Sequence, residues 1–331
     1  MPLHFSQRLS AVAVSGADSG QGVSPRPVTG AEEDRASWIT LLGARRDTEA
    51  SWTWREATPA TDGAVSQTLE LTSFGTRLDC VLLRPAGRRS SLPLILIPYY
   101  DVEVPLGAIS PRMPAASPSE RRRAAWAPAL VARGNAVLIV PWWCETLALC
   151  ITSESKLELR YGPIATEHQV AGSQTGLGRA VGDLIAALDA VTELPWIDPG
   201  RIGGFGHSLG AKLMMTLAAF DQRVRATVVH EPGLGFRFSN WDAPWYLGEK
   251  IPTPRDLDDL ISLIAPRRLL YIGGDEFDGE QNRQLALNAL ALAGGPRDWM
   301  TLWQHHGGHE PPVEIASSSF EWLAAILSNT Q

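Results

Sequence analysis

A doubly wound, mostly parallel α/β sheet with helices on both faces is the fold class this sequence predicts. Three observations point to it. The runs LPLILIP (92–98) and AVLIVP (136–141) are almost continuously apolar, as strands covered on both faces of a parallel sheet are. Between such runs lie amphipathic stretches, the clearest with Val181, Leu184, Ile185, Leu188 and Val191 spaced by three and four, a helical period. The two patterns then alternate to the C-terminus, which favours crossover units over a helix bundle or a β-sandwich.

Taken in order, residues 1–35 are rich in Ser, Gly, Ala and Pro and read as a flexible extension. Residues 36–66 read as a small helical segment packed on the core through Trp38, Trp52 and Trp54. Residues 67–72 alternate and 77–84 are apolar-rich, with TSFGT between them; this predicts a hairpin of antiparallel leading strands at one sheet edge. After the strand at 92–98 comes an alanine-rich helix at 124–132, stopped by Gly134-Asn135, and then the strand at 136–141. A helix at 178–194, a short strand at 201–205, a helix at 211–220 and a strand at 225–230 follow. Strands at 269–273 and 299–304 and helices at 281–292 and 320–327 complete a unit spanning 67–331. The 231–264 connection is longer than usual and rich in aromatic residues, so it is expected to form a small cap over a pocket.

Composition excludes several functions. Acidic residues number 36 against 29 basic, a formal charge of −7, and no basic stripe suggests nucleic acid. Arg121-Arg122-Arg123 and Arg267-Arg268 are short enough to be solvated surface. Cys80, Cys144 and Cys150 lack the number and spacing of a disulfide scaffold or zinc site, although a Cys144–Cys150 pair and free thiols both stay open. There is no apolar run of about 18 residues to span a membrane. The apolar stretch 9–14 is too short for a signal peptide, and a soluble cytoplasmic protein is expected.

The chemistry concentrates in GGFGHSLGAKL (203–213), where Gly206-His207-Ser208-Leu209-Gly210 is a G-x-S-x-G pentapeptide. In a chain with 30 glycines that match is weak alone. Its setting between a strand and a helix strengthens it, because the turn between them lifts a serine above the sheet. Gly206 and Gly210, lacking Cβ atoms, let strand and helix approach around a strained residue. The helix N-terminus then favours developing negative charge at Ser208. A nucleophilic serine needs a base and a group that orients the base. In HHGGHEP (305–311), His309 follows a Gly-Gly turn after the last strand and is the expected base. A metal site of His305, His306, His309 and Glu310 is the alternative, disfavoured by the glycines and prolines that oppose helical ligand spacing; His305 and His306 read as strand-end or pocket-wall residues. In GGDEFD (273–278), Asp275 comes first after the turn and is the expected acid, with Glu276, Asp278 and Glu231 of VVHEPG as rivals. The expected oxyanion donors are the Leu209 N–H and a group from Tyr99 or Tyr100, in the loop after the 92–98 strand.

Together these pieces resemble the α/β-hydrolase superfamily over about residues 67–331. Within it the chain looks like the dienelactone hydrolase and acetyl xylan esterase-like group, to which FSNWDAPWYLG (238–248) is also similar. The resemblance implies a serine esterase or deacetylase using Ser208, His309 and an acid such as Asp275, acting on a small-molecule ester. Pro98-Tyr99 stands where many members have His-Gly. It is similar to the loop of cocaine esterase-like enzymes, in which a tyrosine hydroxyl completes the oxyanion hole. The expected reaction needs no metal or organic cofactor. Trp241, Trp245 and Tyr246 are candidate substrate-binding residues, since their segment is expected at the carboxyl ends of the strands. Acyl transfer or peptide cleavage on the same fold, or a non-catalytic binding protein, are the competing functions.

Overall fold

Residues 92–99 (LPLILIPY) carry Leu or Ile at five of eight positions and no charged or amide side chain, so both faces of the strand they form must be covered. In the computed structural model, which describes residues 28–87, 91–172, 174–275 and 278–328, this strand (β5, Leu92–Tyr99) is central. Leu94 and Leu96 enter one apolar layer, and Ile95 and Ile97 enter the other, as the two-residue period of a strand requires. Each such side chain contributes about 1.5–3 kcal/mol by leaving water.

The sheet runs β1 (Ser51–Trp54), β3 (Ala64–Ser73), β4 (Thr76–Pro85), β6 (Ala136–Pro141), β5, β7 (Ile197–His207), β8 (Val224–His230), β9 (Arg268–Gly273), β10 (Met300–Gln304), with β2 (Thr58–Pro59) on the outside of β3. Pairings from β1 to β6 are antiparallel, and those from β6 to β10 are parallel. The β3–β4 hairpin closes through Phe74 and Gly75, both at positive φ (45° and 73°), the conformation a two-residue hairpin turn favours. One layer carries α7 (Gly176–Thr192) and α8 (Leu209–Phe220), the other α4 (Trp126–Val131) and α11 (Val313–Ser328). Among the described residues no helix is long and apolar enough to cross a membrane.

Several expectations are corrected. Residues 1–27 lie outside the described residues, but 28–35 belong to α1 (Val28–Leu42) rather than to an extension. That helix docks by polar contacts a periodicity search misses: Arg35 donates to the carbonyls of Ala219 (2.9 Å) and Leu263 (3.1 Å), and Trp38 Nε1 donates to Asp259 (3.1 Å). Residues 51–54 and 58–59 form β1 and β2, so the segment before the hairpin is not wholly helical. The helix expected at 124–132 is the shorter α4 (Trp126–Val131), and two helices not expected precede it, α2 (Glu103–Leu106) and α3 (Pro118–Ala124), the latter with a Ser117–Glu120 capping box. Pro128 is tolerated because the break at Ala125 places it in the first turn of α4, where no N–H is required. Two unexpected helices, α5 (Trp143–Ile151) and α6 (Leu157–Ala171), follow β6; Gly162 and Pro163 hide α6 in the sequence. Between β8 and β9 only α9 (Leu257–Ser262) is helical; α10 (Glu280–Ala293) lies between β9 and β10.

Candidate active site

Ser208 is the single residue between β7 and α8, at φ 55°, ψ −117°. Such a conformation costs a non-glycine residue about 1–3 kcal/mol and persists only where the surroundings impose it. Here its N–H donates to the His230 carbonyl (3.0 Å), and its carbonyl accepts from the Lys212 N–H (3.1 Å). A Cβ on Gly206 would collide with the Gly210 carbonyl, and one on Gly210 with the Pro98 carbonyl. The two glycines therefore let β7, α8 and β5 meet at the turn.

A cavity of about 650 Å³ opens over this turn, with Ser208, His309, Tyr99, Tyr100 and Arg112 in its walls. His309 Nδ1 meets Oε2 of Glu231. Glu231 is buried, sits at φ 49° directly after β8, and is tied by its N–H to the Ile272 carbonyl (2.9 Å). A Cβ on Gly274 would overlap the other carboxylate oxygen, so that glycine supplies the space the acid occupies. The turn carrying Glu231 is pinned by buried Asp278. Its oxygens accept from the N–H groups of Gly233 and Leu234 (2.5 Å each) and from the Tyr271 hydroxyl (2.6 Å). Burial raises the Asp278 carboxyl above the usual carboxylate range despite those three donors.

The expected pairing of Asp275 with His309 is thus corrected. Asp275 is exposed and meets His306 Nδ1 at 2.7 Å, while Glu276 lies outside the described residues. β8 is the direct neighbour of β7 and β9 is one strand further away, so a residue ending β8 is closer to the serine turn. The histidines also separate. His305 Nδ1 accepts from the Gly307 N–H (3.1 Å), its Nε2 meets His230 Nε2 (2.6 Å), and His230 Nδ1 meets His207 Nδ1 (2.8 Å). Because Gly307 donates to His305 Nδ1, the neutral rings have one consistent order: His305 donates to His230, which donates to His207. Burial holds the imidazoles of His207 and His230 well below their ordinary value. The His207 ring lies 4.7 Å from that of His309, so this neutral hydrogen-bonded chain of imidazoles packs against it through His207. Among the described residues no group of three or more His, Cys, Asp or Glu is placed to hold a metal ion.

The two tyrosines differ. The Tyr99 hydroxyl has no hydrogen-bond partner among the described residues, and burial pushes its ionisation well above the ordinary phenol, so it remains a donor. The Tyr100 hydroxyl is hydrogen-bonded to Tyr246. Leu209 opens α8, so its N–H is one of the donors a helix leaves unfilled. Trp241, Trp245 and Tyr246 are buried and line no part of the cavity, which corrects their expected role. Their segment folds onto α7 instead: the Tyr246 carbonyl accepts from the Leu177 N–H (3.1 Å), and Gly176 packs against the Trp245 backbone. Segments 111–113 and 149–155 wall the cavity where 231–264 was expected.

No family model and no curated protein matches this sequence. Solved structures do match in shape. A CE15 glucuronoyl esterase from Teredinibacter turnerae superposes with a TM-score of 0.64 at 16% identity, covering 94% of this chain and 87% of its own. A glucuronoyl esterase from Solibacter usitatus gives 0.65 at 14%, covering 95% and 97%. A cold-adapted esterase from an Arctic intertidal metagenomic library gives 0.57 at 16%, covering 83% and 99%. The chain has the α/β-hydrolase fold. In this hydrolase fold the serine turn is legible from the pentapeptide together with the strand before it and the helix after it. Glu231 carried a weaker signal, the end of an apolar strand, and Arg112 carried none.

Proposed function

We propose that the protein is a serine carboxylic ester hydrolase with Ser208 as nucleophile, His309 as base and Glu231 as the acid. The observation that carries this reading is the strained Ser208 turn opening into a cavity whose wall holds a histidine braced by a buried carboxylate. His309 takes the serine proton at Nε2 while Nδ1–H stays on Glu231, which fixes the tautomer and stabilises the imidazolium. Ser208 Oγ attacks the ester carbonyl, and the oxyanion is held by the Leu209 N–H and the Tyr99 hydroxyl. His309 returns the proton to the departing alcohol. Water, deprotonated by His309, then releases the acid and restores Ser208. The esterases among the structural neighbours support ester chemistry.

The test is turnover of acetyl, longer acyl, lactone and thioester substrates by the wild type and by Ser208→Ala. The variant is expected to lose about 10⁴–10⁶ in kcat. Full activity in a folded Ser208→Ala protein would refute the assignment.

A further inference from the structure

Arg112 stands in the cavity wall with Ser208 and His309. We propose that Arg112 reads a carboxylate on the substrate, so that the preferred esters carry an anionic group besides the scissile bond; this rests on the reading of Ser208 and His309 as the catalytic pair.

The side chain is held as a prepared site. Buried Asp101 accepts from the Val104 N–H (3.0 Å) and from the Ser110 hydroxyl, and Ser110 Oγ accepts from the Arg112 N–H (3.0 Å). The guanidinium lies over the Tyr100 ring, 3.7 Å from its centre, and hydrogen-bonds the Tyr161 hydroxyl. Tyr161 in turn donates to Glu145 (2.7 Å). The charge of Glu145 is already used, because Arg160 grips both its oxygens (2.6 and 2.8 Å). Among the described residues no carboxylate pairs with Arg112. The other acids at the cavity do not serve it: Glu154 Oε1 is turned onto the N–H groups of Ser155 (2.8 Å) and Lys156 (3.0 Å), and Glu310 stands on the exposed rim.

A half-buried guanidinium without a counter-charge is costly in the empty protein. A ligand carboxylate removes that cost, and the planar fork of N–H donors fits it with two parallel bonds. The Tyr100 and Tyr161 contacts restrict the fork beforehand, so little further entropy is lost on binding. The cavity falls in the range of small-molecule sites, about 300–1,000 Å³.

Binding without chemistry tests this directly. Ser208→Ala protein is titrated calorimetrically with 3-acetoxybenzoate and with the neutral 3-acetoxybenzamide, alone and combined with Arg112→Gln or Arg112→Lys. The carboxylate is expected to bind about 10- to 100-fold more tightly than the amide. Arg112→Gln should abolish that preference, and Arg112→Lys, which keeps the charge but not the fork, should retain part of it. Equal binding of the two ligands overturns the proposal, as does a preference that survives in a folded Arg112→Gln protein; should that variant not fold, an undiminished preference in Arg112→Lys overturns it. The same ratio is read in kcat/KM with Ser208 present. A missing preference in a protein that still forms a serine adduct removes the Arg112 role alone. A preference without any adduct leaves the carboxylate site and removes the hydrolase reading.

Discussion

The carboxylate of Glu231 ends β8 at a positive φ and meets Nδ1 of His309, in the space that the missing side chain of Gly274 leaves open. This relationship ranks the acids. Glu231→Gln should drop kcat by about 10⁴, the scale seen when the acid of a triad loses its charge. Asp275→Asn, changed on an exposed partner of His306, should alter kcat by less than about threefold. Steady-state kinetics of the two purified variants checks the ranking, and the reverse order would return the acid role to the β9 loop.

Gly274→Ala probes the same contact from the other side. The new methyl would overlap the Glu231 carboxylate, and overpacking of this kind costs about 1–3 kcal/mol. A lower urea midpoint together with a fall in kcat is expected; unchanged values of both would mean that the carboxylate does not need this space.

The two tyrosines should separate in kinetics. Tyr99→Phe removes a hydroxyl with no partner among the described residues, and a loss of about 10²–10³ in kcat is expected for an oxyanion donor. Tyr100→Phe removes a hydroxyl committed to Tyr246 and should cost kcat far less. Equal losses would place the donor elsewhere in the loop after β5.

A buried carboxyl away from the site makes a pH prediction. Burial pushes Asp183 up to about 7, although Arg179 Nε lies 3.8 Å away and pulls the other way. Its folded value exceeds the unfolded one of about 3.9. Its contribution to stability is therefore fully present below about pH 4 and is lost as pH rises through about 7. Denaturant titrations at several pH values should show wild type losing roughly 2–4 kcal/mol relative to Asp183→Asn across that window. A constant difference between the two proteins would contradict it.

What the sequence made legible follows from where the signal lay. LPLILIP and AVLIVP are covered on both faces, so their burial is written in their apolar runs, and the serine turn is written in the spacing of Gly206, Ser208 and Gly210 set between an apolar strand and a helix. The acid was ambiguous because four carboxylates end or follow strands in the C-terminal half, and only strand order, β7 beside β8, selects among them. The aromatic cluster of Trp241, Trp245 and Tyr246 looked like a pocket wall because aromatic composition does not say which way a segment folds; here it packs onto α7. The histidine chain joins His207, His230 and His305 from three strand ends, a contact no local pattern predicts.

The central claim is that Ser208 is an activated nucleophile. Treating the protein with a fluorophosphonate at neutral pH and mapping the adduct by peptide mass spectrometry tests it most directly. A single phosphonylated residue at Ser208, formed rapidly in wild type and strongly slowed in Glu231→Gln and His309→Ala, is the expected result. Absence of an adduct at Ser208 in folded wild-type protein would contradict it.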